Sequence, residues 1–292
     1  MKNISVFFKD SKPFVQLMGL FFLFVVGLIA AGAIQSLFPV GGKDDSSIRM
    51  QLLVQAGAQL LMFFVPALLF AFLFQGSPKN YFMANLQGKF WGLSFVAIVI
   101  LLLLVPVNDW ITYWNENWKL GSLDDLSRGL SNQSKQIMEQ LLSLSSFGDV
   151  VLQLLVIALV PAICEELFFR GALQQIFQCW VGNRHLAVII TALIFSVAHG
   201  DIYGLVPRFV LGLLLGYFFV LSGSILVNIC AHFFNNAVVV LLYLFYHKGV
   251  LTASPSEPLQ MTWSVVVMCT LAAVALFVVY FIQKGSKQPS KS

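Results

Sequence analysis

Charge is what this sequence has least of. Only 10% of its 292 residues are Asp, Glu, Lys or Arg, while 59% are hydrophobic. A water-soluble domain is roughly a quarter charged and about half apolar. A soluble core of this length cannot absorb the excess, which includes 28 phenylalanines. A soluble globular enzyme is therefore excluded, and a bilayer is the expected solvent. Cysteine is scarce as well. Cys164, Cys179, Cys230 and Cys269 form no CxxC pair, which argues against a disulfide framework and a thiolate zinc site. The net charge of +4 is spread over scattered Lys and Arg rather than gathered in a stripe, so nucleic acid is not an expected partner. No cleavage pattern follows the first apolar stretch, which is too long for a signal-peptide core and reads as a retained span. The C-terminal Ser-Lys-Ser offers no cysteine for prenylation.

What is present is a run of long apolar segments. A helix needs about 20 apolar residues to cross the hydrocarbon core, and about eight candidates are found. They lie near Phe14–Phe38, Gln51–Phe74, Phe90–Val107, Val150–Trp180, Leu186–His199, Pro207–Leu221, Ile225–Tyr246 and Met261–Ile282. The fifth and sixth are short. The expected architecture is an all-α, polytopic transmembrane helical bundle. It divides into an N-terminal transmembrane region over 1–149, a core over 150–246, and a last span with a basic tail over 247–292. The polar stretch 109–147 holds Trp110, Trp114 and Trp118, which suit an interfacial belt. Within it, 130–144 reads either as an amphipathic surface helix or as a plain loop. An even number of spans puts both termini on one side. That side would hold Lys2, Lys9, Lys12, Lys79, Lys89, Arg184, Lys284, Lys287 and Lys291, and the slight cationic bias assigns it to the cytoplasm. The absence of targeting extensions suggests a bacterial inner membrane.

Ionisable residues are expensive at membrane depth and are functional candidates by default. Three groups stand out. In Pro161-Ala-Ile-Cys-Glu165-Glu166-Leu-Phe-Phe-Arg170, Glu166 and Arg170 are i and i+4 and share a helix face. Glu165 points about 100° away. Glu166 is thus expected to stay ionised in a pair, and Glu165 to be the carboxylate free for proton transfer. Pro161 is expected to kink the helix. A second group ends the fifth segment, Phe195-Ser-Val-Ala-His199. A third lies in the seventh, His232-Phe-Phe-Asn235-Asn236, where His232 and Asn236 share a face. At 1.5 Å per residue, His232 lies about 11 Å and Asn236 about 17 Å from the start of their span, and His199 about 20 Å from Leu186. All three groups can therefore meet within the membrane, provided the fourth helix continues well past Arg170. Cys164, beside Glu165, reads as a buried thiol rather than a nucleophile. His185 and His247, at segment ends, read as interfacial.

Glu165-Glu166-x-x-x-Arg170, then Phe195-x-x-x-His199, then His232-x-x-x-Asn236 resembles the type II CAAX prenyl endopeptidase family. This family is also called CPBP or Abi and includes bacteriocin-immunity proteins. The resemblance covers roughly 150–246. It implies a helical bundle with an active site recessed in the membrane, acting on a peptide or lipid-modified protein tail. Glu165 would activate water, His199 would help hold it, and His232 with Asn236 would stabilise the oxyanion. Glu166 and Arg170 would support them. The resemblance also brings in a zinc-dependent version, with Glu165, His199 and His232 as ligands, although the sequence lacks an HExxH helix. The metal-free glutamate scheme is preferred. A proton-coupled or metal transporter and a non-catalytic immunity protein remain as readings of another class.

Overall fold

The computed structural model of the protein describes residue 8 and residues 10–38, 42–75 and 90–282. The lysines at 2, 9, 79, 89, 284, 287 and 291, on which the orientation argument leans, lie outside the described residues. Every regular element among the described residues is helical. A helix satisfies its backbone polar groups within its own length, which a segment in hydrocarbon must do. In chain order we denote α1 Pro13–Leu37, α2 Asp45–Gln75, α3 Phe90–Leu103, α4 Val105–Glu116 and α5 Asp124–Leu141. There follow α6 Phe147–Val181, α7 Arg184–Val197, α8 Leu205–Ser222, α9 Ile225–His247 and α10 Trp263–Phe277.

The apolar segments read from the sequence fall on these helices in order. Six are long and apolar enough to cross a membrane: α1, α2, α6, Ile202–Ser222 around α8, α9, and Trp263–Tyr280 around α10. The α3–α4 pair makes a seventh, bent by 43°. The bend falls at Leu104, just ahead of Pro106, whose ring lacks an N–H and crowds the preceding turn. The fifth expected span, α7, has only 14 residues. That is about 21 Å, short of a hydrocarbon core of about 30 Å.

At Pro66 and Pro161 the helix runs on through a widened turn. π turns at Leu60–Phe64 and Leu154–Leu159 lie just upstream of Pro66 and Pro161. Each accommodates the missing donor while α2 and α6 run on. α6 thus spans 35 residues, the long fourth helix that the meeting of the three motifs requires. A third π turn, Phe169–Leu173, contains Arg170.

Of the two readings of 130–144, amphipathic helix or plain loop, the structure has the helix. α4 continues to Glu116, and α5 begins earlier than the sequence reading placed it. α5 buries Ser127 and Ser131 and turns Leu126 and Leu130 outward, the reverse of a helix packed on a soluble core.

Short connections set the remaining geometry. Gly182, at φ +65°, ends α6, and the Asn183 side chain accepts from the His185 and Leu186 amides to start α7. Gly223, also at φ +65°, ends α8 before α9. Phenylalanines fill the space between α1, α2 and α6: Phe63, Phe70, Phe74, Phe168, Phe169 and Phe177 form one buried cluster with Phe195. Phe21, Phe22 and Ile29 on α1, and Met268 and Leu271 on α10, are exposed, as befits faces turned to lipid.

Candidate active site

α6 and α9 lie against each other, and their polar residues meet where they touch. Glu166 and Arg170 are both fully buried, and Arg170 Nη1 donates to Glu166 Oε1 at 2.7 Å. An ion pair in an apolar interior is tolerated when its other polar groups are satisfied. Here Arg170 Nη2 donates to the Gly212 carbonyl at 3.0 Å and the guanidinium lies 4.8 Å from the centre of the Phe195 ring, while Nε has no hydrogen-bond partner among the described residues. Glu166 Oε2 accepts from Asn228 Nδ2 at 3.1 Å, and Asn228 also donates to the Leu215 carbonyl at 2.6 Å. His232 completes the arrangement, with Nδ1 2.9 Å from Glu166 Oε1. A carboxylate can only accept, so Nδ1 carries the proton in that bond.

That bond fixes the His232 ring. Its Nε2 is left facing Glu165, 3.9 Å from Oε2. This is too long for a direct hydrogen bond, but a water placed beside the gap can touch both groups. Glu165 is buried and lies within electrostatic reach of His199 and Arg170. His199 sits just past the end of α7 and is exposed. Its Nδ1 is 2.8 Å from the Phe195 carbonyl, which can only accept, so Nε2 is the unprotonated nitrogen. The Phe195 ring stacks edge-on to both histidines.

Glu165, Glu166, Arg170, His199 and His232 thus gather in one place. Asn236 stands apart from the carboxylates. It is half-buried one turn beyond His232, and its Oδ1 accepts from Asn235 at 3.3 Å, which leaves its Nδ2 hydrogens to donate. Cys164 packs into the phenylalanine cluster. His185 pairs with the Tyr217 hydroxyl at 3.1 Å, and His247 ends α9 beside Tyr243 and Tyr246.

Two features escaped the sequence reading. Asn228, His232 and Asn236 recur every four residues and form one polar stripe along α9. The signal for Asn228 was that spacing. The second is Gly212-x-x-x-Gly216 on α8. A Cβ on Gly212 would lie 3.1 Å from the Ala192 Cα, and one on Gly216 would lie 2.8 Å from Val188 Cγ1. Two bare positions one turn apart let α8 close on α7 and bring the Gly212 and Gly216 carbonyls to Arg170 and Gln174.

Zinc would need three such ligands converging at about 2 Å. Among the described residues, no group of three or more His, Cys, Asp or Glu is arranged to hold a metal ion.

Residues 147–238 match the family described as Type II CAAX prenyl endopeptidase Rce1-like. The chain is 27% identical over 177 residues to an uncharacterized 24.3 kDa protein of Escherichia coli, an alignment covering 56% of this chain and 81% of that protein. No solved structure matches.

Proposed function

Because residues 147–238 place this chain with the Rce1-like type II CAAX prenyl endopeptidase family, which implies a CAAX-type intramembrane protease, we propose that it hydrolyses a peptide bond in a membrane-associated peptide or protein tail, with Glu165 as the base. The observation that carries this reading is the contrast between two adjacent carboxylates. Glu166 is saturated by Arg170, His232 and Asn228. Glu165 has no such saturation: its Oε2 lies 3.9 Å from His232 Nε2.

The roles follow from what each group can donate or accept. Glu165 takes a proton from a water lodged against it, and the resulting hydroxide attacks the carbonyl carbon. His199 Nε2 accepts the water's other hydrogen and orients it. The tetrahedral oxyanion needs donors aimed at it, and the Asn236 Nδ2 hydrogens are suited to supply them. Collapse breaks the C–N bond, and Glu165 returns its proton to the leaving amine. Glu166, Arg170 and Asn228 hold the His232 ring and touch no reacting atom. The protein is an integral multi-pass membrane protein. We read both termini as cytoplasmic, in a bacterial inner membrane, with no resident metal.

The test is cleavage of a quenched fluorescent, farnesylated CAAX peptide by the detergent-purified protein. Glu165→Gln and His199→Ala are compared with the wild type, each with and without a zinc chelator. Glu165→Gln is expected to lose at least about a hundredfold in rate, and the wild type to keep its activity under chelation. Loss on chelation restored by zinc would replace this scheme with the metal-dependent one. Undiminished cleavage by Glu165→Gln would remove the glutamate from the chemistry.

A further inference from the structure

The turn after His199 holds an arginine with donors to spare. Asp201 lies two residues past His199, a reach of about 7 Å at most, and both of its carboxylate oxygens are engaged. Oδ1 accepts from the Tyr203 amide at 3.1 Å, and Oδ2 accepts from Arg208 Nη1 at 3.0 Å. The Asp201 carbonyl lies 3.4 Å from the same nitrogen. The guanidinium rests against Gly204, where a Cβ would overlap it. Asp201 and Gly204 thus seat Arg208 beside the segment bearing His199, and its charge is within electrostatic reach of His199.

Only Nη1 is used in this seat. Among the described residues, Arg208 Nε and Nη2 have no hydrogen-bond partner, and the side chain is 31% exposed. These two nitrogens form an edge that grips a carboxylate with two parallel bonds. Arg49 shows that geometry in this same protein, its Nε and Nη2 holding the two oxygens of Asp149 at 2.7 and 3.2 Å. Arg170, in contrast, is fully buried against Glu166 and open to no ligand. A peptide cut close to its end carries its terminal carboxylate to membrane depth, where a charge without a partner is costly. An acidic side chain is optional in such a peptide, but the terminus is not.

We propose that Arg208 is a specificity residue that binds the free C-terminal carboxylate of the peptide through Nε and Nη2, while Asp201 and Gly204 hold the guanidinium in place. The proposal rests on the protease reading above. A carboxylate held there lies a few extended residues from the water that His199 orients, at about 3.3–3.6 Å per residue. The protein thereby selects bonds near a free C-terminus and discriminates against bonds in the interior of a chain.

The test compares the farnesylated CAAX peptide above, as its C-terminal acid, with the same peptide as its C-terminal amide. Binding is read by fluorescence anisotropy in the Glu165→Gln protein, so that peptide is not consumed. The acid is expected to bind about tenfold tighter than the amide. Adding Arg208→Gln should abolish that preference, and adding Arg208→Lys, which keeps the charge without the fork, should keep only part of it. An amidated peptide whose last residue is Glu should bind like the amide, and binding at the acid's affinity would reassign Arg208 to acidic side chains. Equal affinities for acid and amide, or a full preference that persists in Arg208→Gln, would overturn the proposal. Cleavage by the wild type with equal affinities sinks the role of Arg208 alone. A preference for the acid that needs Arg208, with no cleavage of any peptide by the wild type, sinks the protease reading and leaves a carboxylate-binding site.

Discussion

Burying an unpaired carboxylate costs several kcal/mol, and the residues around Glu166 are arranged to avoid that cost. Arg170, His232 and Asn228 all donate to it, and Arg170 is itself engaged by the Gly212 carbonyl and the Phe195 ring. Removing one member leaves a charge without its partner, so Arg170→Met should destabilise the protein by about 3–5 kcal/mol. The double variant Glu166→Gln/Arg170→Met should recover most of that, because no buried charge remains. Unfolding in detergent with increasing denaturing surfactant measures both. A single variant as stable as the double would mean that the pair does not carry the load assigned to it. The sequence already paired Glu166 with Arg170 through helical spacing. It could not show that His232 reaches the same oxygen, because that contact joins residues 66 apart.

Among the elements, the approach of α7 to α8 depends on two hydrogens standing where side chains would be. Gly216→Ala places a methyl 2.8 Å from Val188 Cγ1, and Val188 is itself buried, so the helices must part. The parting draws the Gly212 carbonyl from Arg170 and the Gly216 carbonyl from Gln174. Gly216→Ala is expected to lower peptide cleavage about tenfold or more, since displacements of the order of 1 Å carry large costs in rate. Val188→Ala in the same chain should restore much of it by making room. The rates of the three proteins on one peptide decide this, and a double variant no better than Gly216→Ala would refute the steric account. The shortness of α7 belongs to the same scale. Composition marked the segment as apolar, but a boundary two residues before His199 follows from where the helix stops.

For the whole molecule, α5 ties the far side of the bundle to the segment bearing His199. Asp124 accepts from Arg128 at 2.8 Å and from the Tyr203 hydroxyl at 2.6 Å, and Arg128 lies over the Tyr203 ring. The bonds from Arg128 and Tyr203 pull the Asp124 carboxyl down to about 2, below the value of about 3.9 for a free Asp. A lowered value in the folded state means that the clamp is fully present above pH of about 4 and is lost as pH falls through about 2. Pepsin works across that window. Cleavage around 121–128 in the wild type should rise as the pH is lowered from 4 to 2. Asp124→Asn should be cut readily at both, with no step between. A step of equal size in Asp124→Asn would assign the change to another group.

The sequence by itself determined the solvent, the helical class, the order of the spans and the three polar motifs, because these depend on composition and on a period of 3.6 residues, both local. Only the tertiary structure decided that Glu166 is shared by three donors, that Asn228 belongs to the site, and that Gly212 and Gly216 admit α7. Each of these depends on which helix lies beside which and at what rotation. That is settled by contacts between residues tens of positions apart, for which a single chain read in order carries no signal.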